Sequence, residues 1–319
     1  MASVAKLSSD ESTEFGGYRS GSLWRITLRR LFRQRSARIG MVILAILIFT
    51  AIFAPVIAPY DPTAVLIGVE DVKKREAPCI HALGCPPDKP QHIFGTDGNV
   101  RDLFSRMVYG ARVSLRIGFI VVAVAGVVGT FLGAVAAYSG GWTDNIIMRI
   151  MDIFLAFPFL LLSISIVFVL GRSLTNAMLA IAIVSMPAYA RVIRSTVLSV
   201  REAEYVEASR AVGATDFQIL FGRILPNALP PLIVLATLGV ATAILDTAAL
   251  SFLGLGAQPP TPEWGTMLGS ERNQLFSAPH LVFIPGIAIS LTVLGFNLLG
   301  DGLRDALDPR LINSGAKRG

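Results

Sequence analysis

Few side chains in this sequence have the types and spacing that a catalytic, metal-binding or nucleotide-binding site needs. The three histidines, His81, His92 and His280, are scattered, so neither an HExxH metalloprotease motif nor a Ser–His–Asp arrangement can be assigned. The sequence also lacks a G-x-x-x-x-G-K-[ST] phosphate-binding loop. We therefore predict a protein that is not itself an enzyme and that binds no nucleotide, metal or other cofactor of its own.

The two cysteines allow one covalent link. Cys79 and Cys85 stand six positions apart in a polar, proline-bounded segment between two apolar runs. A disulfide persists outside the reducing cytosol, and a closely spaced pair in an external loop could form one. The alternative is a metal site that includes His81, but a structural zinc site needs more ligands than these. We therefore favour a disulfide.

A second candidate site lies in residues 198–227, which we call the elbow. Residues 201–212 are mostly good helix formers, and apolar side chains recur there at the spacing of one helical face. These side chains are Tyr205, Ala208 and Val212. Gly213 then permits a left-handed turn, because glycine has no Cβ. The pattern predicts a helix that ends at this glycine.

A second, shorter helix is predicted to follow the turn. Thr215 is a suitable N-cap residue, and Leu225-Pro226 should end the helix before the next apolar run. The predicted apolar side of this helix consists of Phe217, Leu220 and Phe221. Small residues around the turn leave room for another surface to approach closely; they are Ala208, Ser209, Ala211 and Ala214.

The amino-acid composition indicates the class of protein to which the elbow belongs. Apolar types make up 53% of the 319 residues and charged types only 16%, whereas a soluble domain has roughly 25% charged residues. The mean hydropathy is +0.62. These values exclude a disordered chain and argue against a soluble globule, since too few charges remain to cover its surface. The sequence predicts an all-α polytopic membrane protein.

Six apolar runs are each long enough to cross a bilayer, which needs about 20 residues. The runs cover residues 39–58, 115–137, 146–170, 177–197, 228–250 and 281–299. Pro158 interrupts the third run and Pro187 lies in the fourth. Either proline could kink its helix, and Pro158 is one candidate for a gate.

The charges predict the orientation. Residues 19–38 hold seven arginines and no acid, and the C-terminal tail is also basic. Excess Lys and Arg mark cytoplasmic segments, so both termini and the elbow are predicted to be cytoplasmic. The net charge of +6 is thereby explained without nucleic acid. The arginines alternate with Trp24, Leu28 and Leu31, a pattern that suits a helix lying on an anionic lipid leaflet.

The elbow resembles the EAA loop of ABC importer permeases. The residues that carry the resemblance are Glu207-Ala208-Ser209, Gly213 and Ile224-Leu225-Pro226. Ser209 stands where the family usually has a second alanine. Residues 94–115, 250–265 and 296–310 are similar to segments of dipeptide and oligopeptide permeases. Together these segments identify the chain as similar to the C-type permease subunit of a peptide-importing ABC transporter.

The resemblance implies a MetI-like helical fold with one extra N-terminal helix, in a bacterial or archaeal plasma membrane. It implies a homologous B-type permease, two cytoplasmic ATPases that bind ATP and Mg²⁺, and an external peptide-binding protein. The elbow would contact an ATPase. The residues we predict for this contact are Glu207, Ala208, Ser209, Gly213, Ala214, Thr215 and Phe217.

The same resemblance suggests how the chain is divided. We expect a basic cytoplasmic segment over 1–38, a first transmembrane helix with an external loop over 39–112, and a permease core over 113–310. A short cytoplasmic tail over 311–319 would follow. Residues 69–91 have the character of an insertion into the external loop.

Two acidic residues fall inside the predicted spans. Asp246 stands where the family would be expected to have Glu, and an acid in a span often marks a pathway or a partner. It could line the substrate path or act at a gate, or it could simply sit near the interface as a structural residue. Asp152 lies close to Arg149 in the third span, and we expect these two to form an internal pair.

Two alternatives to peptide import remain open. The same machinery carries nickel or other small solutes in related systems, because the motifs are shared and the binding protein largely selects the cargo. An ion-coupled secondary transporter is the second alternative. It would be expected to have several acids deep in the spans and often an internal repeat.

Overall fold

The computed structural model describes residues 23–307, and their regular structure is helical, with isolated β-bridges but no strand. The predicted segments before residue 23 and after residue 307 lie outside the described residues. The helices are α1 Leu23–Arg33, α2 Arg35–Ile52, α3 Ala54–Ile57, α4 Leu103–Ser139, α5 Gly141–Ala156, α6 Phe159–Leu170, α7 Leu174–Arg201, α8 Glu204–Ala211, α9 Asp216–Ile219, α10 Leu225–Phe252, α11 Trp264–Glu271 and α12 His280–Leu307.

Five helical stretches in the described range are long and apolar enough to cross a membrane. They are Arg35–Ile52, Leu103–Ser139, Leu174–Arg201, Asp216–Phe252 and His280–Leu307. Helices α5 and α6 together supply a sixth if they are counted as one bent span. The predicted all-α membrane class is therefore confirmed. Helix α4 begins ten residues before residue 113, so the predicted start of the core falls inside a continuous helix.

The third predicted span is sharply bent. Helices α5 and α6 meet at an angle of 97° around Phe157 and Pro158. Proline has no N–H to donate and disfavours a helical conformation in the residue before it. Phe157 accordingly has extended backbone angles (φ −95°, ψ 143°). The sequence predicted an interrupted span; the structure has two short helices of 16 and 12 residues.

Close contact between α4 and α7 forms the centre of the bundle. A Cβ added to Gly129 would lie 2.7 Å from the carbonyl oxygen of Met186, and one added to Gly133 would overlap the carbonyl oxygen of Ala190. These glycines therefore let the two backbones touch. Small residues have the same effect at many membrane helix interfaces, where van der Waals contact rather than water exclusion holds the helices together.

Residues 59–102, which we call the loop cap, cover one end of the bundle. Glu271 of α11 accepts hydrogen bonds from Arg75 Nε at 2.9 Å and from the Gly98 N–H at 3.0 Å. The Trp264 indole N–H donates to the carbonyl oxygen of Met107 in α4 at 3.1 Å. The elbow lies at the opposite end, where Arg201 donates to the carbonyl oxygen of Ala137 at 3.1 Å. The bundle thus has a cap end and an elbow end.

A buried histidine joins two parts of the loop cap. His92 is 3% exposed, with Nδ1 2.8 Å from Asp102 and Nε2 3.1 Å from Glu70. Asp102 is also the N-cap of α4, and Tyr60 stacks on the imidazole. Burial lowers the pKa of His92, but the hydrogen bonds and charges of Asp102 and Glu70 outweigh it and raise the pKa above its ordinary value.

We expect Gly129→Ala to destabilise the protein by about 1–3 kcal/mol, because the new methyl group meets rigid backbone. Gly126→Ala is the matched control one turn away, since its Cβ would meet the Tyr189 ring at an ordinary 3.7 Å. Thermal unfolding in detergent measures both variants. Equal melting temperatures for the two would contradict the close-contact role of Gly129.

The pKa of His92 also predicts a pH dependence. A folded-state pKa above the unfolded value adds stability that is complete below the unfolded pKa and is lost as pH rises through the folded pKa. His92→Asn should therefore lower the melting temperature more at about pH 5.5 than at about pH 9. His81→Asn is the control, because the imidazole of His81 is exposed and is bonded to the Lys89 carbonyl rather than to an acid. A pH-independent loss in His92→Asn would refute the ionic role.

Candidate functional site: the elbow

The turn of the elbow has the predicted backbone geometry. Helix α8 ends at Ala211, and Gly213 adopts φ +89°, the left-handed region that favours glycine. Its N–H donates to the Arg210 carbonyl at 3.0 Å, while the Ala214 N–H donates to the Ser209 carbonyl at 3.1 Å. These bonds close the helix end that glycine makes possible.

Thr215 begins the second helix with a complete capping box. The Gln218 N–H donates to Thr215 Oγ1 at 3.4 Å, and the Thr215 N–H donates to Gln218 Oε1 at 3.0 Å. Two free N–H groups of the short helix α9 are satisfied in this way. The direction of the chain after the turn is therefore fixed by local hydrogen bonds.

The second helix does not end where the sequence predicted. Residues Leu220–Ile224 form a π-turn, and helix α10 continues directly from it, so Pro226 lies in the first turn of α10. The Leu225 N–H donates back five residues to the Leu220 carbonyl. Proline is tolerated in a first helical turn, and the wider π-turn shifts the hydrogen-bond register just before it. The elbow is thus continuous with a membrane span.

The inner face of the elbow is apolar and fully buried. Val206, Ile219 and Ile224 have no exposed surface and belong to one cluster with residues of α4, α7 and α10. The cluster members from those helices are Ala134, Ala137, Ile193, Val197 and Ala228. A hydrogen bond from the Tyr138 hydroxyl to the Asp216 carboxylate adds a polar tie to α4. The elbow is therefore fixed to three helices at once.

The structure corrects the predicted apolar faces. Val206 is buried, whereas Tyr205, Ala208 and Val212 are exposed. On the predicted apolar side of the second helix Leu220 is buried, but Phe217 and Phe221 are exposed. The helical spacing of apolar residues did not identify Val206 and Ile219 as buried. Both helices are short, and each contains several apolar residues that could face the bundle.

The outer face of the elbow carries exposed apolar side chains beside a concavity. Val212 is 88% and Phe217 70% exposed, and the rings of Phe217 and Phe221 lie 4.5 Å apart. The concavity is lined by Ala208, Ser209, Val212, Gly213, Ala214, Gln218 and Arg223. Four of the seven predicted contact residues therefore line it. The other three, Glu207, Thr215 and Phe217, are exposed outside this lining.

Two ion pairs join α5 and α7. Asp152 pairs with Arg191 at 2.6 Å, not with Arg149 as the sequence suggested. Asp144 receives two hydrogen bonds from the Arg194 guanidinium, at 2.5 and 2.6 Å. The partners lie 39 and 50 positions apart, so local spacing could not have identified them.

The remaining predicted residues lie apart from the elbow. Asp246 is half-buried in α10, about 32 Å along the helix from Leu225. It makes no hydrogen bond or ion pair with the residues the structure describes. Pro158 is exposed at the bend between α5 and α6. In the loop cap, Cys79 and Cys85 are joined by a disulfide with their Cα atoms 5.4 Å apart.

Two family descriptions match the chain. Residues 129–313 match the binding-protein-dependent transport system inner membrane component, and residues 22–78 match the N-terminal transmembrane domain of oligopeptide transport permease C. The fold is similar to crystal structures of the MetNI methionine ABC transporter in inward facing conformations. For one of these the TM-score is 0.52 at 23% identity, covering 65% of this chain and 98% of that chain.

Curated relatives extend over most of the chain. The dipeptide transport system permease protein DppC of Alkalihalophilus pseudofirmus is 48% identical, covering 92% of both chains. The di/tripeptide permease DppC of Pseudomonas aeruginosa is 46% identical, covering 86% of this chain and 88% of its own. The glutathione permease GsiD of Escherichia coli is 44% identical, covering 90% and 91%. The chain therefore belongs to the family of binding-protein-dependent transport system inner membrane components, the permease subunits of ABC transporters.

Proposed function

We propose that this chain is the C-type permease subunit of an ATP-driven importer of dipeptides and oligopeptides. The observation that carries the proposal is the elbow, whose outer face is exposed while its inner face is buried against three helices. The cargo is inferred from relatives named for dipeptides, di/tripeptides and the tripeptide glutathione. No separate observation favours nickel, another solute or an ion-coupled carrier.

The proposed mechanism is mechanical. A cytoplasmic ATPase docks on the outer face of the elbow and moves when it binds ATP. Because Val206, Ile219 and Ile224 are buried against α4, α7 and α10, a displacement of the elbow is transmitted to these helices. A flexible loop would absorb the same displacement. The bundle thereby alternates between two arrangements, and ATP in the ATPase shifts the population between them.

The remaining roles in the complex belong to other subunits. We propose that a homologous B-type permease completes the pathway and that two ATPases hold ATP and Mg²⁺, so this chain contributes no catalytic residue and no bound cofactor. An external binding protein would deliver the peptide at the cap end. We also retain the functional division at residues 38, 112 and 310 inferred from the sequence.

The orientation follows from where the arginines lie. Helix α1 packs by Leu31 against Ala306, near the end of α12, so the arginines of α1 and Arg304 share the elbow end. Excess arginine marks the cytoplasmic side. We therefore propose that the elbow and both termini lie in the cytoplasm and that the loop cap with its disulfide lies outside it. The host membrane would be the bacterial or archaeal plasma membrane.

Asp246 and Pro158 are proposed to act on the transport path. An acid inside a span is costly, and Asp246 has no partner among residues 23–307 to offset that cost. A water-filled path at the boundary with the second permease would solvate it. Pro158 produces the 97° bend that separates α5 from α6, which makes this bend a candidate gate.

Proteoliposomes that contain both permeases, both ATPases and the binding protein test the function. We expect uptake of a labelled dipeptide to require ATP and to stop when the ATPases cannot hydrolyse it. Unchanged uptake driven by a proton or sodium gradient without ATP would contradict the proposal. ATP-driven uptake of nickel alone would retain the machinery but reject the peptide cargo.

Gly213 provides the sharpest test of coupling. A Cβ at this position would meet nothing within 4 Å, but the left-handed backbone costs a non-glycine residue roughly 1–2 kcal/mol. We expect Gly213→Val to be expressed and inserted normally, yet to lose ATP-driven uptake because the turn is distorted.

Two controls separate backbone conformation from added bulk. Gly213→Asn should keep most of the uptake, since asparagine tolerates the left-handed region. Gly222→Ala should also keep it, because Gly222 has equally open space without the positive φ. Normal uptake by Gly213→Val, or equal loss in all three variants, would reject the assigned role of the turn.

A further inference from the structure

The arginines around the α1–α2 junction form a positive cluster with no acidic partner among residues 23–307. The cluster consists of Arg29, Arg30, Arg33, Arg35 and Arg38. No acid occurs between residues 23 and 58, and none of these five guanidinium groups makes a hydrogen bond or ion pair within residues 23–307. Within the described part of the chain these guanidinium groups therefore remain available to bind an anionic group.

The position of the cluster is fixed by packing. Leu31 is buried against Ala37 and Ala306, which holds α1 on the last turns of α12. Gln34 breaks the helix between α1 and α2 with extended backbone angles (φ −76°, ψ 130°). The position of the arginines at the start of α2 is therefore fixed relative to α12. They lie next to the apolar part of α2, on the side of its N-terminus.

A groove lies below two of these arginines. Its lining consists of Arg35, Arg38, Ile39, Val42 and Ile43, and its volume is about 530 Å³. The apolar side continues along α2 as a stripe at helical spacing. The stripe consists of Ile39, Val42, Ile46 and Phe49, and each of these side chains is more than half exposed.

The dimensions of this arrangement fit one lipid. The ten helical steps from Ile39 to Phe49 span about 15 Å, which is half of the roughly 30 Å hydrocarbon core. A guanidinium group matches a phosphate by donating two parallel hydrogen bonds. The arginine pair is therefore complementary to the phosphate of an anionic lipid. The apolar stripe below it has the length of one leaflet and is complementary to an acyl chain.

We propose that this groove binds one anionic phospholipid of the leaflet at the elbow end. Arg35 and Arg38 hold the phosphate, and an acyl chain lies along Ile39, Val42 and Ile46. Exposed Leu28 and Phe32 of α1 enter the interface beside the headgroup. The site attaches the α1–α12 contact to the membrane and is independent of the cargo.

The test uses the assembled transporter in neutral detergent with a phosphatidylglycerol that carries a photoreactive acyl chain. We expect crosslinks in residues 39–49 of α2, and about tenfold less labelling in the Arg35→Gln/Arg38→Gln double variant. Arg29→Gln/Arg33→Gln is the matched control, because it removes the same charge outside the groove lining and should retain most of the labelling. Arg35→Lys/Arg38→Lys should recover part of it.

Several outcomes would overturn the site. Equal loss of labelling in both Gln double variants would mean that the positive charge of the whole arginine cluster attracts the lipid, without a specific site at Arg35 and Arg38. Equal labelling by a phosphatidylcholine probe would mean that the phosphate charge plays no part. Absence of α2 crosslinks in the wild-type complex would mean that the stripe is covered by another subunit. Assembly of each variant is checked by co-purification of the ATPases, so that misfolding is not read as lost lipid binding.

Discussion

The burial of Val206, Ile219 and Ile224 against α4, α7 and α10 is the contact on which the proposed role of the elbow depends. It joins a short connection between two spans to the centre of the bundle. The apolar contact is supported at its edges by the Tyr138–Asp216 hydrogen bond and by Arg201, which donates to two carbonyl oxygens at the end of α4. A force applied to the outer face of the elbow therefore reaches the spans without first deforming the connection.

Close packing in the bundle extends the same constraint. Gly129 and Gly133 bring α4 into backbone contact with α7, and Gly40 does the same between α2 and α12. Helices in such contact cannot slide independently, because the backbone atoms on both sides are rigid. The π-turn at Leu220–Ile224 and the bend at Pro158 both depart from regular helix within residues 23–307. Movement between transport states would therefore be expected to concentrate at these two places.

Much of the fold was predictable because the bilayer imposes a simple length rule. Apolar runs of about 20 residues predict spans, and five of the six runs correspond to single helical stretches. The turn at Gly213 and the cap at Thr215 were also predictable, since both depend on local backbone chemistry. The buried face of the elbow was not. Phe217 and Val206 are both apolar, and only the position of α4 and α7 determines which of them is covered.

The loop cap likewise contains contacts that could not be predicted from the sequence. Nothing in its sequence indicated that Arg75 would bind Glu271 across 196 positions or that His92 would bridge Glu70 and Asp102. The sequence by itself determined the membrane class, the number of apolar runs, the glycine turn and the family resemblance, because these depend on composition and on neighbours a few residues away. Only the tertiary structure decided the ion-pair partners, the 97° bend and the buried face of the elbow. These features depend on which distant helices meet, and that is set by packing of the whole bundle rather than by any one segment.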